Sequence, residues 1–247
     1  MVDLRDFKTK QIIDLPNKQT THGGVFATPN TEYVHVSAKT PKPIWTEDGY
    51  ADLEDYEAEY RGMSTFLPVD QETGRMVLED GFQIELPPYN QDLADVGKGA
   101  SDGWAFINSY NIEMATGGTL EGEPPLETGA IASDFDYLHI IDWHKAEEVV
   151  ADGKYVEHNG MRVITLDTAI EEGLLFFAPE PRNPHGVDVQ PSGDYISVSG
   201  KLDPSAIVYS FEAIERAIAE EDFSGTDVYG VPVLDFDAVM EAQVELG

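Results

Sequence analysis

The chain has 247 residues, 47 acidic against 15 basic side chains, a formal net charge of −32 and no cysteine. These counts exclude disulfides, thiolate nucleophiles, iron–sulfur clusters and cysteine-ligated metals, and the lack of a basic patch disfavours binding to nucleic-acid phosphate. Hydrophobic residues at 41% and aromatics at 10% suffice for a packed core, so the acids read as a solvated surface suited to a high-salt habitat, where screening relieves self-repulsion. No apolar run reaches the roughly 18 residues that span a membrane. The start, Met1-Val2-Asp3-Leu4-Arg5-Asp6-Phe7, shows no apolar signal-peptide core.

In chain order, Gln11 to Asn17 predicts a short strand that meets a turn, followed by a loop at Thr21-His22-Gly23-Gly24. Pro29 to Glu32 suits a turn, and Tyr33 to Ser37 alternates like a half-buried strand. Residues 41–60 carry prolines and many acids and read as an exposed loop. Strands are predicted over Met63–Asp70, Arg75–Glu79 and Phe82–Leu86, the last two split by the turn dipeptide Asp80-Gly81. Residues 87–102 read as a loop, Trp104–Tyr110 as a strand and residues 114–130 as a flexible loop.

Tyr137–Ile141 predicts a strand that runs into a helix over Trp143–Ala151. Met161–Leu166 and Leu174–Ala178 are strand-like. The loop Asn183-Pro184-His185-Gly186 and the turn Pro191-Ser192-Gly193-Asp194 lead into a strand, Tyr195 to Ser199. Ala206–Ser210 then leads into a helix over Phe211–Ala219, and Val231–Leu234 ends the series.

Two units recur. His22-Gly23 is followed by Pro29 and by Tyr33-Val34-His35-Val36-Ser37-Ala38-Lys39; His185-Gly186 is followed by Pro191 and by Tyr195-Ile196-Ser197-Val198-Ser199-Gly200-Lys201. A strand that leads straight into a short helix also occurs twice. Many short strands with frequent turn signals predict an all-β chain, and recurrence of whole units favours a β-propeller with short helices in inter-strand connections. At about 40–50 residues per blade, the two histidine units stand three to four blades apart, so the chain is part of a propeller.

In a propeller, loops at one end of successive blades converge on the central axis. His22 and His185 would then share one space, and imidazole suits copper among other metals. A good turn with the imidazole capping backbone groups explains Asn-Pro-His-Gly equally. Tyr110-Asn111-Ile112-Glu113 and Ser133-Asp134-Phe135-Asp136 offer hard oxygen donors of the kind calcium takes, although in so acidic a chain they also read as a solvated face. His35, His139, His144 and His158 read as packed or solvated residues. No phosphate-cradling glycine loop, G-x-S-x-G motif or Cys/His dyad is present.

The run Leu15-Pro16-Asn17-Lys18-Gln19-Thr20-Thr21-His22-Gly23, with Thr28-Pro29-Asn30-Thr31-Glu32-Tyr33-Val34, resembles the propeller domain of nitrous-oxide reductases. So do Asn108-Ser109-Tyr110-Asn111-Ile112-Glu113 and Pro181-Arg182-Asn183-Pro184-His185-Gly186-Val187. The resemblance implies about four blades of a seven-bladed propeller, in a copper enzyme that reduces nitrous oxide to dinitrogen and water. It implies that His22 and His185 are ligands of a sulfide-bridged tetracopper cluster, and that Tyr110, Glu113, Ala130 (through its carbonyl), Asp136 and Asn183 bind calcium. It further implies a periplasmic homodimer. Set against that family, residues 1–247 read as a propeller fragment. The upstream His-His pair and the C-terminal cupredoxin dicopper domain are missing, the cluster is incomplete, and the isolated chain is expected to be inactive. A non-catalytic propeller scaffold with structural histidines is the competing expectation; a calcium-dependent propeller hydrolase is a third.

Overall fold

Three times in succession the chain runs out and back through four antiparallel strands. This is seen in a computed structural model that describes residues 1–17, 19–47, 51–52, 55–110, 135–201 and 203–245. A hairpin of β1 (Val2–Asp3) and β2 (Lys8–Thr9) comes first. The first blade is β3 (Thr21–Ala27), β4 (Tyr33–Ala38), the one-turn helix α1 (Tyr56–Glu59), β5 (Gly62–Asp70), the short β6 (Arg75–Met76) beside β5, and β7 (Phe82–Leu86). The second begins with β8 (Asn90–Val96), β9 (Trp104–Tyr110) and β10 (Phe135–Asp142). An excursion follows through α2 (Trp143–Ala151), β11 (Val156–His158), β12 (Met161–Ile164) and α3 (Leu166–Glu171), and β13 (Leu175–Pro181) completes the blade. The third is β14 (Pro184–Val189), β15 (Tyr195–Gly200) and β16 (Ser205–Ser210). A matching excursion through α4 (Phe211–Glu220), β17 (Phe223–Thr226), β18 (Pro232–Leu234) and α5 (Phe236–Val239) precedes β19 (Met240–Glu245).

The excursions are straps. β12 adds in parallel to β7, the last strand of the first blade, and β18 adds in parallel to β13, the last strand of the second. Each blade thus extends the sheet of the one before it. The switch from strand to helix has a local cause in both. Asp142 caps α2 by accepting from the Lys145 amide, and Ser210 caps α4 by accepting from the Ala213 amide. Successive four-stranded meanders whose first strands lie side by side make this chain part of a β-propeller. The described residues form three blades, and the two histidine units stand two blades apart where the spacing suggested three to four, because residues 143–174 between them go into a strap.

Period-2 alternation distributes the core. From the middle blade, Ala105, Ile107, Ile141 and Phe177 pack towards Phe66, Phe82, Ile84 and Leu86 of the first. The intervening residues Phe106, Leu138, Ile140, Phe176 and Ala178 pack towards Val187, Ile196, Val198 and Ile207 of the third. Burial of each of the valine, leucine, isoleucine and phenylalanine side chains contributes about 1.5–3 kcal/mol. The third blade has a barer outer face: in β15, Ile196 and Val198 are buried while Tyr195 and Ser197 are exposed.

Several local expectations change. Residues 87–102 contain β8, the inner edge strand of its sheet, whose Asn90, Gln91, Asp92 and Asp95 are all buried; its polarity hid it, since strand periodicity is read from apolar residues. The two histidine loops are strands, β3 and β14. Gln11 to Asn17 is irregular, Arg75–Glu79 shortens to β6 followed by a 3₁₀ turn at Leu78–Asp80, and Leu166 opens a helix capped by Thr165 rather than ending a strand. The predicted loop at residues 114–130 lies outside the described residues.

Candidate metal centre at the inner strands

β8 lies between β3 and β14, the first strands of the flanking blades. All three carry a bulge at the same place. In β3, pairing with β4 skips from Thr21↔Ala38 to Val25↔Val36. In β8, pairing with β9 skips from Gln91↔Ser109 to Ala94↔Ile107, and in β14, pairing with β15 skips from Pro184↔Gly200 to Val187↔Val198. The residue that enters each bulge is His22, Asp92 and His185 respectively. Bulges push their extra residues out of the ladder and re-aim them. The two histidines therefore hold equivalent backbone positions, and the middle blade has an aspartate at the third.

The sequence fixes these strands by buried amides. Asn17 and Gln19 tie down the segment leading to His22: Asn17 Nδ2 donates to Gln83 Oε1 at 2.5 Å, Gln83 Nε2 to Thr65 Oγ1 at 3.2 Å, and Thr65 Oγ1 to Gln19 Oε1 at 2.7 Å. The His22 side chain itself lies outside the described residues. On β14, the Gly186 amide donates to Asn108 Oδ1 at 3.1 Å and the Val189 amide to Asp95 Oδ2 at 2.9 Å. His185 Nδ1 meets Asp92 Oδ2. The imidazole is half exposed while the Asp92 carboxylate is almost fully buried. No hydrogen bond reaches His185 Nε2 among the described residues.

The calcium candidates Tyr110, Asp136 and Asn183 come together beside this strand end. Continuing the β9–β10 register sets Tyr110 opposite Asp136, Asp136 stands across from Glu180 on β13, and the Asn183 amide donates to Asp136 Oδ2 at 2.7 Å. Asn183 holds a left-handed φ of 48°, a conformation asparagine tolerates better than most residues. Glu113 and Ala130 lie outside the described residues. These donors are hard oxygens, the type calcium takes. Among the described residues, however, no three His, Asp or Glu side chains are arranged to hold a metal ion.

Sequence reasoning missed Asp92 and Glu180. Glu180 is fully buried, accepts from Asn108 Nδ2 at 2.6 Å and from the Ser109 amide at 2.9 Å, and has its carboxyl pushed well up by burial, with Asp136 and Asp92 adding to the rise. A signal for the third unit did exist. Trp104-Ala105-Phe106-Ile107-Asn108-Ser109 aligns in register with Tyr33 to Ala38, and that match points back to a first strand lacking His-Gly. The other described histidines pack as expected. His35 bonds Ser64 Oγ at 2.9 Å beside Phe66, and His139 lies against Phe177 and Tyr89; burial pushes both imidazoles down to about 3. His144 packs on Trp143, and His158 Nε2 lies 2.8 Å from the Ile44 carbonyl.

No model of a known protein family matches the chain. The chain is similar to nitrous-oxide reductases. It is 26% identical over 219 residues to that of Stutzerimonas stutzeri, aligning 86% of this chain with 31% of the relative. With the Pseudomonas fluorescens enzyme it shares 25% over 217 residues, 84% of this chain and 30% of the relative. With the Ralstonia nicotianae enzyme it shares 29% over 258 aligned positions, 100% of this chain and 35% of the relative. The chain thus spans about a third of the length of these curated relatives. Among solved structures, hydrazine synthase of Kuenenia stuttgartiensis matches 90% of this chain and 49% of its own with a TM-score of 0.46 and 11% identity. The periplasmic gluconolactonase of Pseudomonas aeruginosa matches 100% and 63% with a TM-score of 0.31 and 12% identity. Superpositions that loose bear on neither fold nor function; the propeller assignment rests on strand order.

Proposed function

We propose that this chain is a portion of the β-propeller of a copper-dependent nitrous-oxide reductase, an oxidoreductase of denitrification. The observation that carries the reading is the equivalence of His22 and His185 on matching bulges of inner strands, in a chain similar along most of its length to enzymes of that name. Copper held there would supply a binding surface and two electrons for the conversion of N2O, with two protons, to N2 and water. His185 contributes a free Nε2, and the bulge at His22 gives that residue the same place on its own blade. The remaining ligands and the dicopper domain would come from polypeptide beyond these residues, in a periplasmic homodimer. Tyr110, Asp136 and Asn183, together with Glu113 and Ala130, are assigned to calcium, whose charge would offset the buried carboxylates of Asp136 and Glu180. The acidic surface fits a high-salt habitat.

Copper retention tests this. The purified chain is loaded with copper, desalted and assayed for bound metal. Stoichiometric retention that is abolished in the His22→Ala/His185→Ala double variant is the expected result. Equal retention by the double variant would make the histidines structural and the chain a scaffold.

A further inference from the structure

We propose that Asp92 is the positioning residue for His185: it accepts the Nδ1 proton, holds the ring in one tautomer and leaves the Nε2 lone pair bare. The inference rests on the copper reading for its purpose, and on geometry for its content. Asp92 Oδ2 lies against His185 Nδ1 across the gap between two blades. An ionised carboxylate only accepts, so the ring nitrogen facing it must donate. Nε2 is then the bare nitrogen, and no described residue bonds to it.

The placement recurs in the fold. Asp92 enters the bulge of β8 as His185 enters that of β14 and His22 that of β3. The middle blade thus puts a carboxylate in the row where its neighbours put imidazoles. The contact is also well held. Asp92 is almost fully buried, and β14 is held against the middle blade just beyond His185 by the Gly186 amide on Asn108 of β9 and the Val189 amide on Asp95 of β8. A histidine that ligates a metal typically donates its other ring N–H to such a partner, and loss of the partner costs about 10–100-fold in metal affinity.

The test reads the tautomer directly. In the 15N-labelled chain at about pH 8, where an ordinary imidazole is neutral, two-bond nitrogen–proton spectra identify the protonated nitrogen of each ring, and His185→Ala assigns the signal. Wild type is expected to carry the proton on Nδ1. Asp92→Ala, and the isosteric Asp92→Asn, which keeps the fold if alanine does not, are expected to shift the proton towards Nε2; Asp92→Glu is expected to restore Nδ1–H. Copper titration of the same proteins is expected to show affinity lowered by about 10–100-fold in Asp92→Ala and recovered in Asp92→Glu. An Nε2–H tautomer in wild type, or a tautomer indifferent to Asp92→Ala and Asp92→Asn, overturns the proposal. A tautomer that shifts as expected while copper affinity ignores both Asp92 and His185 overturns the copper reading and leaves the hold of Asp92 on the ring standing.

Discussion

The two seams of the propeller portion are built differently. Between the middle and third blades, side chains of β8, of β9 and of the turn that joins them grip β14: Asp95 takes the Val189 amide, Asn108 takes the Gly186 amide, Lys98 Nζ reaches the Val189 carbonyl at 3.3 Å, and Asp92 faces the His185 ring. Between the first and middle blades, the Gln91 amide donates to the Lys39 carbonyl at 2.9 Å, but the Gln91 side chain is buried with neither polar atom bonded among the described residues. His35 and His139 both stand on that side, pressed among Phe66, Phe177 and Tyr89. Along the inner strands the second seam is charge-assisted and the first leaves the Gln91 side chain orphaned among the described residues; the first seam has its charge-assisted bonds further out, where Tyr33 Oη donates to Glu147 at 2.6 Å and the Leu166 amide to Glu85 at 2.9 Å. The second seam is the one beside the described histidine ligand candidate, as expected if that strand end must keep a fixed geometry.

The largest effect should come from the tightest point of the second seam. The turn at Gly193 packs on the turn at Lys98, where the Ala100 amide donates to the Ser192 carbonyl at 2.9 Å. Gly193 has φ of 82°, and a Cβ there would stand 1.6 Å from the Lys98 carbonyl oxygen. Gly193→Ala therefore adds backbone strain to a main-chain clash, and a loss of about 2–4 kcal/mol is expected in denaturant unfolding. A loss under about 1 kcal/mol would mean that the turns part at little cost and the seam is loose.

Asp95→Ala comes next. The buried carboxylate accepts from the Val96 amide at 2.9 Å, from Lys98 Nζ at 2.7 Å and from the Val189 amide at 2.9 Å. Its removal leaves the Val189 amide buried without a partner, at a cost of about 1–3 kcal/mol. The same change should broaden the amide signals of β14 around His185 more than those of β4, which would place the damage on the second seam.

Acid should separate the seams by sign. Burial holds His35 and His139 neutral in the fold, with pKa values lowered from 6.5 to about 3. The unfolded chain takes up those protons first, so the stability they carry is complete above pH 6.5 and is lost as pH falls from 6.5 towards 3. Glu180, on the second seam, is shifted the other way: its raised pKa gives stability that is present below the ordinary carboxylate value and lost as pH rises through the folded value. Urea titrations between pH 7.5 and 4 should show a smaller loss in His139→Leu than in wild type. Glu180→Gln should be more favourable relative to wild type at pH 8 than at pH 4.

How far these features were legible follows from what each strand faces. β10 and β13 are buried on both sides and spell out apolar runs, so Tyr137–Ile141 and Leu174–Ala178 stand out. β4 and β15 share a repeat, and their histidine leaders could be matched by eye. β8 pairs with the adjacent β9 and buries Ala94 and Val96 in the core, but Asn90, Gln91 and Asp92 are buried polar residues beside β3 and β14, strands far away in the chain, so the apolar signal is too short to mark it. The same fact hid Asp92: a carboxylate in an acidic chain has no local mark, and its meaning comes from a strand reached only after another ninety residues. Helix α3 was missed for a milder reason, since Leu166 to Glu171 is short and its cap, Thr165, ends an apolar run that reads as strand.

The smallest effect tests the first seam from the opposite direction. Gln91 is fully buried, its Nε2 and Oε1 both lack partners among the described residues, and a Cβ on Gly62 would fall 2.8 Å from that Nε2. Burial of an unbonded amide is unfavourable, so exchanging it for a methyl-ended chain of similar length removes a cost of about 1–2 kcal/mol. Gln91→Met is therefore expected to raise the unfolding free energy by about 1 kcal/mol, after the side chain accommodates Gly62. Met keeps the reach of glutamine without its donors, which separates polarity from volume; Gln91→Ala, which leaves a cavity, should destabilise instead. Should Gln91→Met lower stability as well, the amide has a bound partner, and the first seam is as fully satisfied as the second.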